Sequence, residues 1–105
     1  MNCTLDTDAQ CDALEVCYNH TTLNPLKKCM LNNLQLNGTL SRSTFADWTS
    51  NIMALILSEN QISDVEDGTF QKLSSTLVAI NMVTNLLTEI RPGMFTGLEN
   101  LKKIG

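Results

Sequence analysis

Apolar and polar positions along residues 52–104 repeat with their chemistry kept. A shift of 25 residues lays Ile52, Leu55, Leu57, Asn60, Ile62, Val65, Gly68, Phe70 and Leu73 on Leu77, Ile80, Met82, Asn85, Leu87, Ile90, Gly93, Phe95 and Leu98, and Leu101 and Ile104 open a further copy. A self-match in this range marks a solenoid, in which no unit buries its apolar face alone and stacked neighbours make the core. Within each copy, Leu55-Ile56-Leu57 and Ile80-Asn81-Met82 alternate as half-buried strands do, so that every second side chain faces inward. Strands are expected near residues 30–33, 55–58 and 80–83, one per copy, adding up to a parallel sheet.

The remaining columns have physical reasons to recur. Asn60 and Asn85 fall where the strands end and the chain turns inside the stack, and a buried carboxamide supplies both donors and an acceptor for backbone groups cut off from water. Phe45, Phe70 and Phe95 stand 25 residues apart and are expected to return from the convex side as an aromatic spine. Gly68 and Gly93 fit a tight turn that needs φ > 0, as well as an ordinary loop. Earlier in the chain, Met30, Leu40, Phe45 and Trp48 hold the columns of Leu55, Val65, Phe70 and Leu73, whereas Asn32 and Gln35 replace Leu57 and Asn60. Trp48 is expected in the core.

Written out, the period L-x-x-L-x-L-x-x-N-x-L-x-x-I-x-x-G-x-F-x-x-L resembles the leucine-rich repeat family in its extracellular form of about 24 residues. The resemblance implies an α/β solenoid, a fragment of a horseshoe. Short parallel strands would line its concave face, turns and 3₁₀ or helical pieces its convex side, and a disulfide-tied segment would precede them. It divides the chain into a cysteine-rich cap or small disulfide module over residues 1–29 and repeats over 30–105. The repeats comprise a degenerate first copy at 30–51, full copies at 52–76 and 77–100, and a truncated one at 101–105, whose few residues would leave the strand near Ile80 an open edge for self-association.

Function in this family is binding, and the resemblance places it on the outward positions of the concave sheet. These are Ala54 and Ala79, Ile56 and Asn81, Ser58 and Val83, and Glu59 and Thr84, preceded by Cys29, Leu31, Asn33 and Leu34 if the first copy is in register. Leu31 and Ile56 would form an exposed apolar pair, which favours a protein partner over a small charged ligand. The implied role is an extracellular recognition fragment of a receptor, adhesion or matrix protein. The alternative is a small secreted inhibitor or toxin whose activity sits in the Cys3 to Cys29 segment.

Composition narrows the field. A chain of 105 residues with 43% apolar and 17% charged residues is of ordinary globular make-up, and a net charge of −4 argues against a phosphate-tracking surface, so nucleic acid is not an expected partner. No run approaches the length of a membrane span, and Met1-Asn2-Cys3-Thr4 has neither the basic start nor the apolar core of a signal peptide, so either a signal is expected upstream or the protein is expected to stay inside, and membrane attachment is expected only through parts absent from this chain. All four cysteines, Cys3, Cys11, Cys17 and Cys29, lie near the start, which fits two disulfides of a secreted protein in any of three pairings. Their spacing lacks the close pairs of a zinc site, and Cys17 with His20 has no orienting acid. Sequons at Asn2, Asn19 and Asn37 agree with secretion. The acidic set Asp64, Glu66, Asp67 and Glu89 reads as a solvated face before a calcium site. No enzyme, cofactor or metal is expected.

Overall fold

The computed structural model describes residues 17–19, 26–48 and 51–105. Asn2, Cys3, Cys11 and His20 therefore lie outside the described residues. Among the described residues seven short strands appear: β1 (Cys17–Asn19), β2 (Lys27–Met30), β3 (Asn37–Leu40), β4 (Ile52–Ile56), β5 (Gln61–Val65), β6 (Ala79–Asn81) and β7 (Lys103–Ile104). One sheet takes the order β1-β2-β4-β6-β7, parallel from β2 to β7 with β1 added antiparallel at one edge. β3 and β5 form a second, parallel pair on the return path. The chain thus winds as a parallel β-solenoid, each turn adding a strand beside the last.

The core follows the repeat columns. Ile52, Leu55, Leu57, Ile62, Val65, Phe70, Leu77 and Ile80 are fully buried, each side chain contributing about 1.5–3 kcal/mol of burial. Trp48 is buried as expected, edge-on to Phe45 at 5.0 Å between ring centroids, and Phe45 meets Phe70 at 5.7 Å. The spine ends there. Phe95 is only half-buried, and the neighbouring Met94 takes the enclosed place in the last turn.

Other expectations need correction. Among the described residues the return path holds the expected 3₁₀ pieces, at Gln71–Leu73 and Pro92–Phe95, and no α-helix, so the described architecture is a parallel β-solenoid without the α component. β2, β4 and β6 begin one to three residues earlier than expected, and β2 crosses the anticipated division between residues 29 and 30. The β3–β5 pair was unforeseen because Asn37-Gly38-Thr39-Leu40 carries little strand signal. The edge at β6 is not open: β7 pairs with it, Ala79 opposite Lys103 and Ile80 opposite Ile104.

The first turn is in a different register from the one the 25-residue period suggests. Lys27 pairs with Ile52, but Lys28, Cys29 and Met30 pair with Ala54, Leu55 and Ile56, leaving Met53 as an extra residue in β4. A one-residue slip exchanges the two faces. Leu31 and Cys29 therefore face inward, both fully buried, and are not part of the outward face of the sheet expected to bind. On the return path β3 meets β5 at an offset of 24 at Asn37 and Gly38, shifts once more, and reaches 25 with Thr39 opposite Asp64 and Leu40 opposite Val65.

Candidate functional site

The outward positions of the main sheet are set by this register. Lys28, Ala54, Ala79 and Lys103 form one row across β2, β4, β6 and β7. Met30, Ile56 and Asn81 form the next row. Two alanines between longer side chains leave a depression of about 220 Å³, lined by Lys28, Met53, Ala54, Ile56, Ala79, Asn81 and Lys103 among others. Ala54 is its buried floor, not an exposed contact.

Of the concave residues expected from sequence, Ala54, Ile56, Ala79 and Asn81 come together here. Ser58 is buried, while Val83 in the same column is half exposed. Asn33, Glu59 and Thr84 share a column too, but with a backbone role: all three have positive φ, at 55°, 58° and 59°. Each stands where the strand gives way to the turn inside the stack. Lys28, Met30 and Lys103 were missed. Aligning Cys29, Leu31 and Leu36 with Leu55, Leu57 and Ile62 would have found the first two, and matching Leu101-x-x-Ile104 to Leu77-x-x-Ile80 the third.

Beneath the turns, asparagines join consecutive coils. Asn60 Nδ2 donates to the carbonyls of Leu31, Leu57 and Ser58 at 2.9–3.1 Å, and its Oδ1 accepts from Leu34 and Leu36 N–H, both at 3.0 Å. Asn85 repeats the pattern with Leu57 and Met82 carbonyls and Ile62 N–H, all at 3.0 Å. Leu57 O accepts from both carboxamides. In the first turn Leu34 occupies this column and is itself served by Asn60, so the ladder has two rungs.

The acidic set lies on the return path around one guanidinium. Arg91 contacts Glu89 at 2.9 Å, Asp64 at 3.3 Å and Asp67 at 3.5 Å, and donates to Val65 O at 2.9 Å. The hydrogen bond to Glu89 holds Arg91 more firmly protonated than a free arginine, and Asp64 and Asp67 add to this against partial desolvation. Arg42 Nε donates to Asp67 O nearby. The furrow these residues line, about 420 Å³, is already occupied by charge pairing, and no group of metal-ligating side chains occurs among the described residues. Gly68 and Gly93 bracket it for different reasons. Gly68 has φ 79°, whereas a Cβ on Gly93 would lie 2.5 Å from the Asp67 carboxylate.

At the other end Cys17 and Cys29 are bridged, 4.0 Å apart at Cα, directly across the β1–β2 pair. This bond pins β1 over what would otherwise be the first edge of the sheet. The sequon asparagine Asn37 is exposed on β3, and Asn19 ends β1. No helix among the described residues is long and apolar enough to cross a membrane.

Against known proteins, the sequence model described as leucine rich repeat matches residues 50–105, just over half of the chain. No curated protein and no solved structure matches.

Proposed function

We propose that this chain, which belongs to the leucine-rich repeat family, recognises a protein ligand outside the cell through the concave face of its five-stranded sheet. The family is a protein-interaction repeat. The observation that carries the finer reading is the groove over Ala54 and Ala79, where outward side chains of different size, charge and polarity converge on a rigid sheet. Secretion is supported by the Cys17–Cys29 disulfide, since such bonds persist in oxidising compartments, and by the accessible sequon at Asn37. Because the bridge lies within the sheet, it favours a cap over an independent inhibitor-like module. The role as a piece of a receptor or matrix protein rests on the same evidence.

A photo-crosslinking amino acid at Ile56, on the concave face, and another at Lys72, on the return path, tests the site. On cells that display the partner, discrete adducts should form from position 56 and not from 72. Equal labelling from both, or labelling from 72 alone, would defeat the proposal.

A further inference from the structure

Among the described residues, basic side chains gather on the main sheet. Although the chain carries −4 overall, Lys27, Lys28, Lys102 and Lys103, four of its seven basic residues, lie on or beside β2 and β7. Lys28 and Lys103 belong to one row with Ala54 and Ala79 between them, and neither takes part in an ion pair among the described residues. Asp64, Asp67 and Glu89 of the return path are gathered about Arg91. Glu59 stands in the turn that follows β4.

The dimensions of the row limit what can lie on it. Lys28 and Lys103 are separated by three strand spacings, about 14 Å at roughly 4.8 Å each. An extended peptide rises about 3.3 Å per residue, so side chains four residues apart span nearly the same distance. The depression between the lysines holds about 220 Å³, less than the roughly 300 Å³ at which small-molecule sites begin, and suits one or two apolar side chains. Its floor of Ala54 and Ala79 and its flank of Ile56 are apolar, while the lysine stems can line the ends and keep their ammonium groups in water.

From this we infer that the groove takes an extended segment of a protein partner running across the strands, with two acidic residues four positions apart and an apolar residue between them. The carboxylates meet Lys28 and Lys103, and the apolar side chain rests over Ala54 and Ala79 against Ile56. This rests on the concave face being the binding face.

The test is selection of a phage-displayed random twelve-residue peptide library on the disulfide-intact chain. Recovered binders should be enriched in aspartate and glutamate, with pairs at a spacing of four over-represented. Each of Lys28→Gln and Lys103→Gln should weaken them about 2- to 5-fold, the range of an exposed ion pair, more so at low salt. Lys72→Gln should leave them unchanged. Ile56→Arg separates the two readings. Binders that lose affinity on Ile56→Arg but show no acidic pairing would overturn the acidic-segment proposal and keep the concave site. Binders indifferent to Ile56→Arg, or a selection that yields none, would overturn both.

Discussion

The copies at 52–76 and 77–100 share their columns residue for residue and yet fare differently. On the sheet side they match: Leu55 and Ile80 are both fully buried, and Leu57 and Met82 nearly equal. On the return side they part. Ile62, Val65 and Phe70 are completely enclosed, whereas Leu87 and Phe95 are half-buried and Ile90 is 59% exposed. The difference lies in what covers each copy. β7 lays a strand over β6 and seals the sheet half, but no further return path packs against residues 85–98 among the described residues. Burial in a solenoid thus belongs to the next coil as much as to the residue. The same leucine column is core in one turn and surface in the next.

Local opening should display this contrast most strongly. Leu57 N–H donates to Asn81 O at 2.7 Å inside the stack, and its counterpart Met82 N–H donates to Gly105 O at 3.0 Å. Opening at Met82 needs only the two-residue β7 to peel away, while opening at Leu57 requires the sheet to part. Hydrogen exchange on the 105-residue chain should therefore protect Leu57 by about three orders of magnitude more than Met82, approaching the several kcal/mol of global stability at the first site alone. Equal protection would mean that β7 closes the sheet as firmly as a full turn.

Core truncation comes next in size. Phe70→Ala should cost about 3–5 kcal/mol, since its ring is enclosed and packed at a tilt against Phe45, while Phe95→Ala should cost about 1–2 kcal/mol at its half-buried position. The asparagines follow the same order at smaller scale. Asn60→Ala takes the carboxamide partner from Leu31 O, Leu34 N–H and Leu36 N–H, while Leu57 O keeps Asn85 and Ser58 O keeps Asn33 N–H, and should lose about 3 kcal/mol; Asn85→Ala does so for Met82 O and Ile62 N–H and should lose about 1–2 kcal/mol. Denaturant unfolding of the four variants gives both ratios. Parity within either pair would show that the two copies are energetically alike despite their exposure.

How far the sequence foretold this depends on whether a feature is repeated. The strand columns, the paired asparagines and the buried Trp48 were readable because in-phase chemistry fixes them without reference to geometry. The first turn was not, since its strand runs one residue out of step at Met53 and its return path regains the 25-residue offset only at Thr39 and Leu40, after a second irregularity at Gly38. A bulge of this kind leaves no mark in composition, and it carried Leu31 inward and brought Lys28 and Met30 to the surface. β7 escaped notice because two residues make no periodic signal, although Leu101 and Ile104 are spaced as Leu77 and Ile80 are. Gly93 looked like a second Gly68, but only Gly68 has a left-handed backbone. The other is held small by the Asp67 carboxylate, a contact between coils that no local pattern contains.

The smallest effect concerns the turn column, where the two copies differ in how well the residue suits the backbone. Asn33, Glu59 and Thr84 all adopt left-handed φ near 55–59°, and only the first is a residue type that visits that region readily. Thr84 is the worst fitted, because its branched Cβ crowds the carbonyl in this conformation. It is also exposed, so replacing it removes no core contact. Thr84→Asn should raise stability by about 0.5–1 kcal/mol, and Glu59→Asn by somewhat less, read as shifts of the denaturant midpoint at constant slope. Thr84→Val, which keeps the branch, is the control and should show no gain. If Thr84→Asn gave none either, the strain would already be relaxed in the less covered second copy, and the left-handed turn at Thr84 would be weaker there than the matching turn at Glu59.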